Sequence, residues 1–514
     1  MSDNAPIKSI VIVGGGSAGW MAAALLNQGL GEFDCKITLI ESTDIGSVGV
    51  GEATTPELVQ FAGRLDISSD DFMRRCQATY KLAIRFVNWV EGDDEFWHPF
   101  GPVGGYLDGW DLFHFWHRAV VAGKCDSSYA SHSVHQQLAE SGKGPREAEG
   151  ETHIIKNGTH AYHLDSTAFA AMLKGISLGK GVVHYFDEVS NVVLKEDGAI
   201  ASVQTKSGRE LTADLFLDCT GFRATLIEKA MGDGWTDWSD LLLCNRALVA
   251  SIPQDDGIRP YTTSTALSAG WIWEIPLSHR LSTGYVYSDK FVDEDQATKE
   301  FVQFAEAKGV DKVRPRSIPF RVGRRDNFWY KNCVAIGLSS GFIEPLESTG
   351  LALVARGVDA IMQFLPDCRL NPMFIDQYNQ HMASLYEEIR DFIVLHYLLN
   401  RRTGSEFWKA SREIDVPETL VKSLELYDET GLLNEFKKQI FGEPSYYCIC
   451  SGASRFPRNT LPIAKYPKLE KLLDIISQIR AQNDQFVSAM PKHSDLIAQI
   501  HQIARIHQTG RKIL

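Results

Sequence analysis

An α/β fold, a parallel-sheet box followed by a mostly helical second part, is what this sequence predicts, and three observations predict it. A glycine cluster, Gly14-Gly15-Gly16-Ser17-Ala18-Gly19, lies between a β-branched run and an alanine-rich one. Two later apolar runs, 214–221 and 333–341, end in glycine and small polar residues, as strands returning to the same end of a sheet do. From 374 to 400, Tyr378, Met382, Leu385, Ile389, Phe392, Ile393 and Tyr397 recur at spacings of three and four, the period of a helix.

Each element has a physical reading. Lys8-Ser9-Ile10-Val11-Ile12-Val13 has the composition of a buried parallel strand. Gly14 permits the tight turn, Gly16 lets the backbone approach a pyrophosphate, and Gly19 allows close helix–strand packing. Residues 20–26, with Ala22-Ala23-Ala24, read as the helix whose N-terminus faces the phosphate. Lys36-Ile37-Thr38-Leu39-Ile40 is a second strand, and Glu41 at its end, 22 residues after Gly19, has the spacing of a ribose-hydroxyl acceptor. Val48-Gly49-Val50-Gly51-Glu52-Ala53-Thr54-Thr55-Pro56 is a Gly-punctuated loop. Segment 136–151, polar with Gly142, Gly144, Pro145 and Gly150, reads as an exposed loop. In Gly270-Trp271-Ile272-Trp273-Glu274-Ile275-Pro276, alternation puts both indoles on one face of a strand, where core packing is the plain reading. In the long helix, Glu387, Glu388 and Arg390 fall off the apolar stripe, and Leu469, Leu472, Leu473, Ile476 and Ile479 mark another helix. No internal repeat is visible.

Composition excludes several classes. A chain of 514 residues with a net charge of −13 has no basic stripe for a nucleic-acid partner. No apolar stretch approaches the roughly 20 residues that span a bilayer, and no signal peptide is read. Nine scattered cysteines, with Cys448 and Cys450 too close for an ordinary disulfide and no paired Cys-x-x-Cys sets, point to a reducing cytoplasm and to no metal site.

The layout of these segments resembles FAD proteins of the glutathione-reductase type, with their two-dinucleotide-fold box. That resemblance implies non-covalent FAD held at Gly14, Gly16, Ser17, Ala18, Gly19, Glu41, Gly51, Ala53, Val189, Leu338 and Leu351. In aromatic hydroxylases of that superfamily the last strand ends in Gly-Asp; here Gly337 is followed by Leu338, which argues against an ordinary hydroxylase. The Trp-x-Trp-x-Ile-Pro box, Tyr80-Lys81-Leu82-Ala83-Ile84-Arg85-Phe86, Gly49-Val50-Gly51-Glu52-Ala53-Thr54, Phe342-Ile343-Glu344-Pro345-Leu346-Glu347-Ser348-Thr349-Gly350 and Tyr446-Tyr447-Cys448 together resemble flavin-dependent halogenases, the tryptophan-halogenase family above all.

This resemblance implies an enzyme that uses FADH2, O2 and a halide, chloride or bromide, to make hypohalous acid at the flavin. The oxidant then halogenates an electron-rich aromatic in a separate pocket. Lys81 matches the catalytic lysine, either as an ammonium donating to the oxidant or as a haloamine former; without the motif it reads as a snorkelling surface lysine. Glu347 matches the catalytic glutamate, placed to orient the oxidant or take the ring proton; its plain reading is a helix-start carboxylate. A helix starting near Ser348 leaves the amides of Thr349 and Gly350 free, and these match the family's halide site. Glu344 is a weaker candidate. The tryptophan box is read as a wall.

His98, Phe100, Tyr446 and Tyr447 match substrate-sandwiching positions, with Trp97 beside them. Arg455 is a candidate for a substrate carboxylate, with no convincing ammonium partner, so the expected substrate is indole or indole-like and not necessarily free tryptophan. A flavin-dependent aromatic monooxygenase is the alternative, and a non-catalytic flavin-binding protein a more distant one. A separate NAD(P)H-dependent flavin reductase is the expected partner; monomer and homodimer are both left open. The expected organisation is an FAD box over 1–360, with pocket segments inserted around 97–160 and 235–320, and a mostly helical substrate-binding region over 361–514.

Overall fold

Strand-forming and helix-forming runs alternate at the start of the chain, and the fold follows that alternation. The computed structural model describes residues 6–31, 34–43, 51–254, 257–365, 370–433 and 439–510, with side chains as far as 502. The chain forms two units of three segments each. The first comprises Met1–Gln77, Leu164–Ser239 and Phe320–Glu387, the second Ala78–His163, Asp240–Pro319 and Glu388–Leu514.

The first unit is built on a six-stranded sheet in the order Val183–Phe186, Lys36–Glu41, Ser9–Val13, Leu215–Asp218, Cys333–Ala335, Trp329–Tyr330. All neighbours are parallel except the last pair. Ile10, Ile12, Leu39, Ile40, Leu215 and Phe216 are fully buried, as strands covered on both faces require. The helix Ser17–Leu30 leaves the first strand at the glycine cluster and packs against the helices Ser166–Gly179 and Gly350–Phe364. A small antiparallel sheet, Val189–Leu194, Ile200–Thr205 and Glu210–Leu211, buries Ile200 and Val203 against Val11, Val13 and Phe216.

The second unit contains a seven-stranded sheet in the order Arg316–Pro319, Arg246–Ile252, Leu281–Tyr287, Gly270–Pro276, Tyr261–Leu267, Ala83–Val87, Glu95–Pro99. The tryptophan box is its central strand, with every residue buried. Both faces of a central strand must be filled, which accounts for the large aromatics. Among the described residues the regular elements of 361–514 are helical, including Pro372–Leu398, Glu418–Thr430, Glu443–Gly452, Leu469–Ala489 and His493–Gly510. No helix of the described residues is long and apolar enough to cross a membrane, and the described cysteines are free.

The helical stripe read from spacing is the buried face: Tyr378, Met382, Leu385, Ile389, Phe392, Ile393 and Tyr397 are at most 2% exposed. Two readings need correction. Glu388, assigned to the polar side of that helix, is itself only 2% exposed, because residues 388 and 389 and 391–397 are all covered. The segment 136–151 is not all exposed loop. Val134–Glu140 is a helix capped by Ser133 Oγ, and its Leu138 joins Leu82, Ile154, Val487 and Met490 in a core cluster. Its polar side chains misled because several of them are buried: Gln136 is 3% exposed and its amide donates to Glu140 at 2.8 Å.

Candidate active site

In the first unit the glycine loop is shaped by close backbone approaches. Gly14 has φ +115°, and a Cβ there would lie 2.2 Å from the carbonyl oxygen of Cys219. A Cβ on Gly19 would lie 1.8 Å from the Gly14 carbonyl oxygen, so the helix must start with glycine to reach the strand. Gly16 is different: it caps the helix Ser17–Leu30, and a Cβ there would meet nothing within 4 Å. No side chain caps that helix, and the Cβ position of Gly16 opens on empty space, a cradle that fits a pyrophosphate. Gly337, φ +77°, brings the later strand's end against Ala18, where a Cβ would stand 2.7 Å from that methyl; this places Leu338 beside the start of the helix. Leu351 lies in the first turn of Gly350–Phe364, Val189 opens the small sheet, and Gly51 and Ala53 bound a short strand on which burial pushes the Glu52 carboxyl up to about 7. Val48, Gly49 and Val50 lie outside the described residues.

Glu41 ends the second strand alongside Gly15, and its carboxylate is already engaged. Trp20 Nε1 donates to it at 3.2 Å, Lys174 pairs with it, and His184 Nε2 lies 3.0 Å away. The Lys174 ammonium also sits 4.0 Å from the centre of the Phe186 ring.

The halide candidates sit on a sharp turn. Pro345–Glu347 is one 3₁₀ turn, Ser348 takes a left-handed conformation (φ 61°, ψ 33°), and Thr349 caps the fifteen-residue helix Gly350–Phe364 without a side-chain hydrogen bond. The helix thus starts two residues later than Ser348, and Gly350 holds its first amide. Glu347 is fully buried and Thr349 nearly so, while a Cβ on Gly350 would meet nothing within 4 Å. Glu344, 2% exposed, precedes the turn as its N-cap.

In the second unit Lys81 is 0% exposed, which removes the surface-lysine reading. It lies on the strand Thr79–Lys81, antiparallel to Ala161–His163. The backbone beside it is pinned: Leu82 N donates to Pro260 O at 2.7 Å and Phe100 N to Leu82 O at 2.9 Å. The ammonium lies 4.9 Å from the centre of the Phe100 ring. Thr79 points the same way as Lys81, and its hydroxyl lies 3.2 Å from His163 Nδ1, whose Nε2 is 2.9 Å from Thr262 Oγ1. Burial first, then the Lys81 charge, then His493 hold the His163 imidazole far below its ordinary range, so it stays neutral.

From Phe100 an aromatic belt runs outward. His98 lies 6.1 Å from Phe100, 5.7 Å from Phe392 and 6.3 Å from Phe441, centre to centre. Phe392 and Phe441 stack at 3.9 Å, and Tyr446 stands edge-on to Phe392 at 4.9 Å. The structure therefore brings Lys81, Phe100, His98 and Tyr446 into one continuous arrangement. It does not bring Tyr447 there: one position along a helix is a turn of about 100°, and Tyr447 stacks on Phe113 at 4.0 Å, its hydroxyl 3.3 Å from His114 Nε2. Trp97, on the opposite face of its strand from His98, packs on Tyr261. Arg455 is spent on a bidentate pair with Asp428 at 2.7 and 2.8 Å, which corrects its reading as a carboxylate receptor.

Residues 9–468 match the tryptophan halogenase family model. The chain is 35% identical to the tryptophan 6-halogenase of Streptomyces albogriseolus, over 96% of this chain and 99% of that one. The chain belongs to the tryptophan halogenase family. It is also 34% identical to the tryptophan 7-halogenase of Lentzea aerocolonigenes, over 96% and 99% of the two chains. Its fold superposes on a flavin-dependent halogenase from Brevundimonas sp. BAL3 with TM-score 0.89 and 38% identity, covering 96% of this chain and 99% of that one. A flavin-dependent halogenase from Xanthomonas campestris gives 0.90 and 34%, over 96% and 98%. The chain is a flavin-dependent halogenase, and the glycine cradle fits the dinucleotide such an enzyme requires.

Sequence reading missed Phe392 and Phe441 in the aromatic belt. Phe392 carried the signal of a helix core, and Phe441 sits in an irregular segment with no periodicity. His163 was missed because it faces Lys81's strand from another strand, 84 residues after the Thr79 it contacts.

Proposed function

We propose that this halogenase places a bromide- or chloride-derived halogen on indole or an indole-like ring held against the aromatic belt, and that free tryptophan is not its main substrate. The observation that carries this is the fully buried Lys81, from whose ammonium the belt of Phe100, His98, Phe392, Phe441 and Tyr446 extends. The face of the Phe100 ring, 4.9 Å from the Lys81 nitrogen, supports the ammonium form through a cation–π contact. In that form it donates a hydrogen bond to hypohalous acid and makes the halogen more electrophilic. The ring carbon forms its bond to halogen as the O–X bond breaks, the oxygen takes the Lys81 proton and leaves as water, and the ring proton passes to a carboxylate, the role read for Glu347, from which solvent returns a proton to the lysine. Reduced FAD with O2 supplies the two-electron oxidation of halide. The amides of Thr349 and Gly350 are the proposed halide donors, and the cofactor positions are those named in the glycine loop and its neighbours. A separate flavin reductase supplies FADH2 in the cytoplasm.

Against free tryptophan stand two charged groups of the second unit, near the belt in sequence, whose side chains already have partners. Arg455 is paired with Asp428, and Glu388 is spent on backbone amides. An amino acid's ammonium and carboxylate need such partners.

The test is mass spectrometry of purified enzyme with FAD, NADH, a flavin reductase, O2 and bromide or chloride, on indole and tryptophan separately. Halogen isotope doublets on indole that vanish in Lys81→Ala support the reading. Strong regioselective turnover of tryptophan removes its substrate half, and a hydroxylated product formed without halide replaces it with the monooxygenase reading.

A further inference from the structure

The helix Pro372–Leu398 places Glu388 and Phe392 four residues apart, hence on one face. Both act on the same neighbouring segment. Glu388 Oε2 accepts from the Gln439 amide at 2.8 Å, and Oε1 accepts from the amides of Ile440 at 2.8 Å and Phe441 at 3.0 Å. Phe392 then receives the Phe441 ring on its face at 3.9 Å and 24°. The next residue, Gly442, is the N-cap of Glu443–Gly452, the helix that carries Tyr446.

We propose that Glu388 is a positioning residue for substrate: its buried carboxylate, by gathering three consecutive amides, fixes Phe441 as a wall of the aromatic belt and sets the start of the Tyr446 helix. This rests on the reading that the belt holds the arene. Burying a carboxylate is costly unless charge-assisted hydrogen bonds satisfy it. Three successive amides turned to one anion also define the segment's backbone, since each must point the same way. A neutral amide at 388 could accept at its one oxygen but would present an NH2 donor to the Gln439 amide, so that contact becomes repulsive and the segment shifts. Glu388 does not touch the substrate. It acts through Phe441, which is 5% exposed and would drift from Phe392 and His98 once released.

The experiment uses the full chain with FAD, flavin reductase, NADH, O2 and bromide, with indole as substrate. Glu388→Gln, Phe441→Ala and the double variant are compared for indole KM, kcat, the distribution of bromoindole isomers, and hypobromous acid captured by a freely diffusing trap. Glu388→Gln is expected to raise KM about tenfold, the scale of a lost charge-assisted hydrogen bond. It should also broaden the isomer distribution while oxidant capture persists. In the Phe441→Ala background the same change should raise KM by much less than it does in the wild type, since both act on one wall. Unchanged KM and isomers in Glu388→Gln, alongside a raised KM in Phe441→Ala, overturn the proposal. Unchanged KM in Phe441→Ala overturns the belt reading itself. Should Glu388→Gln fail to fold, Gln439→Pro deletes one donor at an exposed position. The same rise in KM is then expected, and its absence counts against the proposal.

Discussion

At the glycine loop of the first unit the atoms proposed to function are backbone amides within a few consecutive residues, whereas in the second unit the proposed ones are side chains drawn from positions 81, 98, 100, 392, 441 and 446. The loop works by what is missing: Gly14 and Gly19 let main chains touch, and Gly16 leaves space. The belt works by what is present, and every ring is held by another element's ring or amide. A backbone-built site tolerates no added atom where main chains touch, as at Gly14 and Gly19. A side-chain-built site accepts conservative exchange but fails when a remote support is removed.

The largest effect should come where one side chain carries chemistry alone. Lys81→Ala is expected to lower bromoindole formation about a thousandfold, within the range for loss of a positioned proton donor, while a free trap still captures hypohalous acid. Product formation within about tenfold of wild type would break the contrast between the units, since chemistry would then not depend on a belt side chain. Next comes the Tyr pair. Tyr447→Ala should cost about 3–5 kcal/mol of stability, as for other buried aromatics, read from denaturant melts. Tyr446→Ala should leave the melt nearly unchanged and raise the arene KM several-fold. Equal behaviour of the two would erase the distinction between core and belt.

Gly16→Ala sharpens the other side. Since its Cβ would enter open space, the chain should fold as before, yet FAD affinity by fluorescence titration should fall about tenfold, or ~1.4 kcal/mol. Unchanged FAD affinity would remove Gly16 from the cradle.

The remaining effect is on pH. Burial holds the imidazoles of His135 at about 3 and of His114, His160 and His493 at about 4, below their ordinary 6.5, and all four lie in the second unit. A lowered imidazole contributes stability that is complete above 6.5 and is lost as pH falls toward 4. Hydrogen exchange between pH 6.5 and 4 should therefore loosen the second unit first. Uniform loosening of both units would contradict the difference in how they are built.

Legibility followed the same division. The strand–glycine–helix start, Glu41 at the end of the second strand and the buried stripe of 378–397 could all be read, because each depends on neighbours within one or two helical turns or one strand. Segment 136–151 was misread because buried polar side chains look, in sequence, like solvent-facing ones. Tyr447 was grouped with Tyr446 because adjacency in sequence hides the rotation of a helix. The seven-stranded sheet of the second unit went unseen because its strands come from 83–99 and 246–319.

By itself the sequence determined the dinucleotide cradle, the family motifs and the presence of Lys81 and Glu347, since local sterics and fixed spacing are properties of the chain alone. Only tertiary structure decided that Lys81 is fully buried, that Arg455 is consumed by Asp428, and that Phe392 and Phe441 join His98 while Tyr447 leaves it. Burial and ring contact depend on which distant segments pack together, and no spacing within a single segment specifies that.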